Sequence, residues 1–559
     1  MPLTFRSSNR KSSAAAKRST RADSVIRWPG AGSLKFDKVP TVLAYDSEGT
    51  TKWGFGVTSN DRQLRCFKLL LDNSQMFPGW SNKAALLDTM NEYQKGALDV
   101  VTDYMTELHK FAKKELDRRY VGVKGGWLPI QYFLTVPAIW NDGAKQLMSV
   151  AAKRADMGND VVLISEPEAA AIHTLKSSDL HHIKIGDIFI VSDCGGGTSD
   201  VITYQVMGLN PHRFKEVVPG DGNFCGGNAI NNRFEDFLRS RLGAQKFDRI
   251  KKQNVEAWNQ AAARFEEDVK RNFRSVSDTV DHRIFFPGVD NDSAAGIQHG
   301  FIILSNAQLA DLFKSVVDGI LDLIAQQQAA VKQTGGTAKY IIVAGGFGES
   351  PYLFDKIEER FSPQIDGGPP AYDAVMVLRS SDAWGAVAKG AVRYGLEGGA
   401  QVTARKARLH YGISVNAAYV SGVHQEVDRY WSTWREEWRA IQMEWYVAKG
   451  DDMTAGQPIL HSFSFDSDVK RDSHEVTLYV SSLQRAPSRR ADTGVRRLCK
   501  LRTDARRAPD SSFKQHTRSD DIKFWRHHYH IGMRYEGGRL LFDYRVDGVV
   551  LSVIDVEFE

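Results

Sequence analysis

One short glycine-rich sequence constrains the fold of this chain more than any other feature. Residues 183–193 are largely apolar, and they are followed at once by Cys-Gly-Gly-Gly-Thr-Ser-Asp at 194–200. The apolar run predicts a buried strand that delivers a polar loop at its carboxyl end. Glycines allow backbone N–H groups to approach phosphate oxygens closely, and the Thr198 hydroxyl can donate to one. Asp193 and Asp200 can hold a hydrated Mg²⁺ or orient water. The alternative is a glycine-rich hairpin with acidic flanks.

Two further glycine sites have the same arrangement. Residues 220–228 lead into a stretch with helical spacing at 227–242. Residues 344–351 begin at the end of an apolar run at 339–346. The free N–H groups of a helix N-terminus favour an anion. Three such strand, glycine and helix junctions predict a nucleotide held between two α/β lobes. None of them matches the Walker pattern or the dinucleotide fingerprint.

Composition limits the class of protein. The chain has 559 residues, of which 42% are apolar and 25% charged, as in soluble globular proteins. It has no apolar run of about 18 residues, so no membrane span is expected. Four scattered cysteines argue against a disulfide framework and a zinc site, and they favour a reducing, cytoplasmic location.

Charge is concentrated at the start of the chain. Residues 1–22 contain six Lys or Arg and no acid, which leaves −1 of the net +5 for the other 537 residues. We predict a disordered basic tail over residues 1–24, with a mitochondrial transit peptide or a misassigned start codon as alternatives. Because the remainder is electrically balanced, no specific nucleic-acid partner is expected.

The pattern changes after Gly399. Residues 25–398 alternate strands and helices, including a helix at 142–157, and predict an α/β domain. Residues 402–559 predict a smaller β-rich domain, with strands at 461–467 and 475–480. Four tryptophans at near-helical spacing predict one helix at 427–446, as a core-facing stripe or a partner-binding groove. The basic segment 485–507 is either a solvated loop or a patch for an anionic ligand. The four tryptophans are Trp431, Trp434, Trp438 and Trp445.

The order of these motifs resembles the nucleotide-binding domain of the 70-kDa heat-shock protein family, within the actin and sugar-kinase superfamily. The resemblance covers about residues 25–398 and implies a two-lobed, actin-like (ribonuclease H-like) ATPase fold. Residues 28–30, 38–41, 52–54 and 405–412 are similar to a divergent fungal and animal heat-shock-70-like branch. The motifs that carry the family resemblance are residues 134–141, 164–172, 193–200, 225–234, 267–273, 344–351 and 387–395.

The resemblance implies ATP and Mg²⁺ as ligands and assigns roles to single residues. Asp193 would hold Mg²⁺ through water, together with Glu166. Thr198 would face the γ-phosphate, and Asp200 would position the attacking water. Lys68 either matches the family's catalytic lysine or is a surface lysine. The residues that would surround the nucleoside and phosphates are Gly195, Gly196, Gly197, Gly226, Gly227, Glu267, Lys270, Gly345 and Gly346.

The chain also departs from the family pattern. Residues 46–51 resemble the family's first phosphate loop, but they contain one residue too many and follow a segment that lies downstream of that loop. The loop should precede Trp28, and residues 1–27 contain nothing like it. We therefore expect either a gene model without its first exon or a chain without half of the phosphate clamp. Phe347, Glu349 and Arg274 occupy positions where the chaperones have Ser, Arg and Ser.

Three functions follow as hypotheses. We expect an ATP-binding, heat-shock-70-like protein, a chaperone-type ATPase whose hydrolysis is weakened or lost because the first loop is missing. Its partners would be ATP or ADP, together with client or co-chaperone proteins. The alternatives are a non-enzymatic scaffold on the same fold and a small-molecule kinase. The chaperones' Leu-rich linker is absent near residues 396–404, which argues against conventional peptide clamping.

Overall fold

The computed structural model divides the chain into two compact units, residues 1–401 and 402–559. It contains no helix, in the ranges it covers, that is long and apolar enough to cross a membrane. The residues it describes are 4–7, 24–58, 60–119, 130–177, 183–210, 212–277, 281–287, 289–362, 375–380, 382–399, 402–536, 538–554 and 556–558.

The described part of the first lobe of the N-terminal unit contains two small sheets and four α-helices. The strand orders are β1-β5-β6 and β3-β2-β4, and β5 is parallel to β6. Apolar side chains such as Tyr104, Leu134 and Met148 form the core of this lobe. The elements are β1 (Thr4–Ser7), β2 (Val42–Tyr45), β3 (Thr51–Trp53), β4 (Leu64–Arg65), α1 (Lys83–Glu92), α2 (Ala97–Arg119), β5 (Ile130–Val136), α3 (Asp142–Arg154), β6 (Val162–Ser165) and α4 (Glu166–Ser177).

Strand β1 lies inside the segment for which the sequence predicts a disordered tail. Its four residues pair antiparallel with β5, from Thr4 opposite Phe133 to Ser7 opposite Ile130. The expectation of disorder therefore differs from the structure at residues 4–7. The remainder of residues 1–23, including the region where a first phosphate loop is expected, lies outside the described residues.

The second lobe is built on a sheet in which β14, β13, β7, β8 and β9 are neighbours in that order. Its core contains Ile190, Phe234 and Phe265. The elements are β7 (Ile188–Cys194), β8 (Ser199–Leu209), β9 (His212–Asn223), α5 (Gly227–Leu242), α6 (Ala244–Gln253), α7 (Val255–Arg264), α8 (Lys270–Asn272), β10 (His282–Phe285), β11 (Ile297–Gln298), β12 (Phe301–Leu304), α9 (Asn306–Gln333), β13 (Ala338–Ala344), α10 (Pro351–Phe361), β14 (Met376–Arg379) and α11 (Ala386–Leu396).

Strand β7 brings the predicted functional loop to the edge of the lobe. All seven of its residues are buried, which explains the continuous apolar run in the sequence. It pairs parallel with β13, with Asp193 opposite Ala344, and antiparallel with β8. Because β7 and β13 are parallel neighbours, their carboxyl ends and the glycines that follow lie side by side.

The C-terminal unit is almost entirely β-structure around its own core, which contains Leu478, Phe542 and Tyr544. One sheet has the order β17-β18-β16-β21-β22-β27, and the other has the order β20-β24-β25-β26 with β23 also paired to β24. The strands are β15 (Val402–Lys406), β16 (His410–Ala418), β17 (Arg429–Ser432), β18 (Glu437–Val447), β19 (Asp452–Thr454), β20 (Ile459–Ser467), β21 (His474–Ser481), β22 (Arg496–Thr503), β23 (Phe513–Thr517), β24 (Lys523–Glu536), β25 (Arg539–Val546), β26 (Val549–Ile554) and β27 (Val556–Phe558).

Two expectations for this unit are corrected. The helix predicted at 427–446 is wrong, because those residues form β17 and β18. Trp431 lies opposite Trp438, and their rings meet edge to face at 5.4 Å. Cross-strand pairing therefore overrides the helical spacing of the tryptophans. The segment 485–507 is not wholly a loop, because Arg496–Thr503 is β22, and Arg489 in its loop portion pairs with Asp428.

Candidate functional site

The first two glycine sites pack together into one structure. The loop Gly195–Thr198 joins β7 to β8, and it is closed by a 2.9 Å hydrogen bond from Gly195 N to Thr198 O. The first N–H groups of α5, those of Gly227 and Asn228, donate to the carbonyls of Gly195 and Gly196 at 3.0 and 2.8 Å. A Cβ at Gly226 would lie 2.4 Å from the Gly196 carbonyl oxygen. Only glycine therefore allows the two segments to approach this closely.

The third glycine site lies directly beside the first. Gly345 has a φ of +84°, and a Cβ there would lie 2.4 Å from both Asp193 Oδ1 and the Cys194 carbonyl oxygen. The next residue, Gly346, packs against the ring of Trp384, 3.0 Å from where its Cβ would be. The three glycine sites that the sequence identifies thus converge at one place.

These loops border a cavity of about 890 Å³ in the N-terminal unit. Nine of the residues predicted for the site line it, and three others, Gly226, Gly227 and Lys270, lie immediately behind its wall. Asp200 lies behind Thr198, to which it is hydrogen bonded. The nine lining residues are Lys68, Glu166, Asp193, Gly195, Gly196, Gly197, Thr198, Gly345 and Gly346.

Within the loop, three successive backbone N–H groups are available to a ligand. Those of Gly196, Gly197 and Thr198 donate to no acceptor in the part of the chain that the structure describes. A Cβ at Gly197 would meet nothing within 4 Å. Successive free amides beside open space can bind an anion.

The carboxylates of the site are strongly perturbed. Burial, with the nearby charges of Glu166 and Asp200, raises the pKa of Asp193 to about 8. Burial and the Glu166 charge raise the pKa of Asp200 to about 7, although the Thr198 hydroxyl donates to its Oδ2 at 3.1 Å. The other oxygen of Asp200, Oδ1, is buried without a well-formed hydrogen bond, although the backbone N–H of Ile139 is near enough to the carboxylate to lower its pKa slightly. A buried carboxylate group with an unsatisfied oxygen favours an added cation.

This donor set fits Mg²⁺ held through water. Among the described residues, no group of three or more His, Cys, Asp or Glu side chains is arranged to hold a metal ion directly. Mg²⁺ commonly keeps several of its waters and contacts one or two carboxylates. Asp193 and Glu166 line the cavity, and the unsatisfied oxygen of Asp200 lies behind it, so hydrated Mg²⁺ suits this end of the cavity.

Lys68 lines the cavity and is not a surface lysine. Its ammonium group lies 2.8 Å from Glu166 Oε1, with about 18% of the side chain exposed. It also lies 5.2 Å from the centre of the Trp140 ring. Lys68 therefore neutralises Glu166.

The structure differs from the sequence-based expectation at Glu267. This side chain is exposed, and the neighbouring Glu266 lines the cavity instead. The reason is a π-helical turn over Phe265–Val269, which changes the helical register. Lys270 is buried and donates to Glu266, to Asn231 Oδ1 at 2.9 Å and to the Gly227 carbonyl at 3.1 Å. Burial lowers the pKa of Lys270, and Glu266 opposes this effect.

The three positions that depart from the family pattern have local partners. Phe347 is buried beside Gly227. Glu349 accepts a 2.9 Å hydrogen bond from the backbone N–H of Trp384. Arg274 pairs with Asp355 at 3.1 Å.

Besides Glu266, sequence reasoning missed a second charged residue of the cavity, Lys38. It lies in the segment 38–41, which the sequence analysis used only as a mark of a branch of the family. It lines the cavity with Asp193 and Glu166, whose charges act on it. No periodicity or motif spacing signals this role, because only the tertiary structure brings Lys38 to the site.

Comparisons with known proteins agree with this architecture. Residues 184–366 match a family model described as "Domain of unknown function (DUF8340)", and residues 405–553 match one described as "Domain of unknown function (DUF8568)". Human heat shock 70 kDa protein 12A is 24% identical over 372 residues, which cover 53% of this chain and 52% of that protein.

Two further relatives extend the comparison. Human heat shock 70 kDa protein 12B is 23% identical over 528 residues, which cover 78% of this chain and 74% of the relative. The chaperone protein DnaK of Psychrobacter cryohalolentis is 29% identical over 243 residues, covering 42% of this chain and 35% of DnaK. The chain thus spans about half the length of heat shock 70 kDa protein 12A. These similarities at low identity, together with the mixed α/β fold, support a heat-shock-70-like, actin-like ATPase family for this chain.

Proposed function

We propose that residues 25–398 bind a Mg²⁺–nucleoside triphosphate, ATP, in the 890 Å³ cavity. The observation that carries this proposal is the row of three unsatisfied amides at Gly196, Gly197 and Thr198, open to the cavity and next to buried carboxylates. Backbone amides suit phosphate oxygens, and the carboxylates suit the hydrated cation that accompanies a triphosphate.

Each group of the site has a part in this proposal. The amides of the loop bind phosphate oxygens. The Thr198 hydroxyl lies beside them and is hydrogen bonded to Asp200. Asp193 and Glu166 would hold Mg²⁺ through water, and the bound ion would offset the negative charge of the phosphates. Lys68 holds Glu166 in place through their 2.8 Å ion pair. The buried Lys270 fixes the start of α5 by its bond to the Gly227 carbonyl.

We further propose that the site hydrolyses the bound ATP. Asp200 is buried next to Thr198 and has one unsatisfied oxygen, which suits a carboxylate that orients an attacking water. Phosphoryl transfer depends mainly on positioning and charge neutralisation, so turnover is expected to be slow if amide donors are few. The alternative is a pseudo-ATPase that binds nucleotide and serves as a scaffold.

The printed names of the relatives describe heat-shock and chaperone proteins. We propose a chaperone-related role with client or co-chaperone partners on that basis alone. We also propose a cytoplasmic location, because all four cysteines are free thiols. Imaging of a carboxyl-terminally tagged chain tests the location, and a mitochondrial signal would overturn it.

Titration calorimetry of the 559-residue chain with Mg-ATP tests nucleotide binding. We expect micromolar affinity that Gly196→Asp abolishes, because the new carboxylate would lie beside the phosphate-binding amides. Gly56→Asp is the matched control, since Gly56 is exposed and a Cβ there meets nothing within 4 Å. Equal binding by the wild type and Gly196→Asp would refute the site.

A single-turnover assay then separates the two forms of the proposal. Release of phosphate from bound ATP, lost in Asp200→Asn, would support an ATPase. Tight binding without any phosphate release would support the pseudo-ATPase. A kinase would instead convert ATP to ADP only when a small-molecule acceptor was supplied, and the phosphoryl group would be found on that acceptor rather than as free phosphate.

A further inference from the structure

The most informative group that the preceding mechanism does not use is the ammonium of Lys38. Lys38 lies on the chain just before β2 and lines the cavity beside the Gly195–Thr198 loop. Its Nζ lies 5.3 Å from the centre of the Trp384 ring. Arg271 lies over the same ring, at 4.6 Å. Trp384 in turn packs on Gly346, so Lys38 is held where the first and third glycine sites meet.

Among the described residues, Lys38 differs from the other lysines of this region in having no anionic partner within ion-pair distance. Lys68 is paired with Glu166 at 2.8 Å, and Lys270 and Lys389 are paired with Glu266 and Asp382. In the described ranges, Lys38 Nζ has neither an ion pair within 4.0 Å nor a hydrogen bond. Lys38 is half-buried, and a lysine ammonium has three donor hydrogens, so these donors can serve an added acceptor in the cavity.

Carboxylates surround Lys38 without contacting it. The charges of Asp193, Glu166, Glu349 and Asp382 all stabilise the ammonium, while burial lowers its pKa. If Lys38 only balanced the charge of these carboxylates, we would expect its ammonium to contact one of them directly. Their distance instead leaves the donors of Lys38 available to a ligand that carries its own negative charge.

We propose that Lys38 is a phosphate-binding residue, whose ammonium contacts the phosphate chain of the nucleotide in the cavity. This inference rests on the proposed function, and it deepens that function by adding a side-chain cation to the amides of the loop. The affinity of the site then depends on the number of phosphates in the ligand. Lys68, already committed to Glu166, contributes less to this dependence.

Lys38→Gln tests the inference in the full chain, with Mg-ATP, inorganic pyrophosphate and adenosine as separate probes in calorimetry. A charge-assisted hydrogen bond to phosphate is strong, so we expect the affinity for ATP and pyrophosphate to fall about 10- to 100-fold. The affinity for adenosine should stay within about twofold, because adenosine has no phosphate. Lys38→Arg, which keeps the charge, should lose less than Lys38→Gln.

Lys83→Gln is the matched control, because Lys83 is exposed and lies outside the cavity. It should leave all three affinities unchanged. If the wild type binds ATP and Lys38→Gln binds it equally well, this inference fails while the proposed function stands. If Lys38→Gln weakens adenosine as much as ATP, and Lys38→Arg does the same, Lys38 has a structural role and the inference also fails. If the wild type binds none of the probes, the proposed function itself fails.

Discussion

At the scale of single residues, the close contact between Gly226 and the Gly195–Thr198 loop makes a steric prediction. Gly226 has an ordinary φ of −92°, so Ala is compatible with its backbone, and the whole cost comes from the 2.4 Å approach to the Gly196 carbonyl oxygen. Overpacking of this kind typically costs about 1–3 kcal/mol. We expect Gly226→Ala to lower the free energy of unfolding by that amount, as measured by urea denaturation.

The control at this scale is Gly197→Ala, whose Cβ meets nothing within 4 Å. It should change the free energy of unfolding by less than about 0.5 kcal/mol, as most open positions do. Equal destabilisation by the two substitutions would mean that the packing of the loops is not what requires glycine at Gly226.

His474 gives a prediction for pH. Burial lowers the pKa of His474 to about 4, and its ring nitrogens lie 2.5 Å from the Tyr529 hydroxyl and 3.1 Å from the Thr503 hydroxyl. Because the folded pKa is below the unfolded value of about 6.5, the unfolded state binds the proton first as the pH falls. Stability should therefore be lost between about pH 6.5 and pH 4, by up to about 3 kcal/mol from this residue.

Urea denaturation at several pH values checks this expectation. His474→Gln should be less stable at pH 7.5 but show a flatter decline towards pH 4. His299→Gln is the control, since His299 is exposed and should leave the slope unchanged. A wild-type slope that persists in His474→Gln would assign the acid sensitivity to other groups.

At the scale of elements, the sequence predicts best where local pattern and burial agree. The apolar runs of β7 and β13 and the helical spacing of α3 and α5 all correspond to observed elements, because the two strands are buried along most of their length and each helix buries one face. The hairpin of β17 and β18 could not be predicted in this way. Its tryptophans have helical spacing, and only pairing with neighbouring strands decides their structure.

The candidate site divides in the same way. The glycine loops are evident in the sequence because each needs a residue type with a direct physical role. Lys38 and Glu266 are not, because their places depend on the tertiary structure and on a π-helical turn that no pattern announces.

The π-helical turn at Phe265–Val269 can be tested by exchanging adjacent glutamates. Glu266 pairs with the buried Lys270, whereas Glu267 is exposed. Removing the partner of a buried charge is destabilising, so Glu266→Gln should lower the free energy of unfolding by about 1–3 kcal/mol. Glu267→Gln should change it by less than about 0.5 kcal/mol. The reverse order in urea denaturation would indicate a regular α-helix with Glu267 facing the cavity.

At the scale of the whole molecule, two compact units with separate cores predict two cooperative unfolding transitions. A ligand stabilises only the unit that binds it, by about 2.7 kcal/mol when its concentration is 100 times its Kd. All of the cavity's lining residues belong to residues 1–401, so differential scanning calorimetry with Mg-ATP should move one transition upward and leave the other in place. Gly226→Ala should lower that same transition, and His474→Gln should alter the pH dependence of the other. A single transition that moves as a whole would show that the two units unfold together. If Mg-ATP instead raised the midpoint of the transition that is sensitive to His474→Gln, the nucleotide site would not lie in the N-terminal unit.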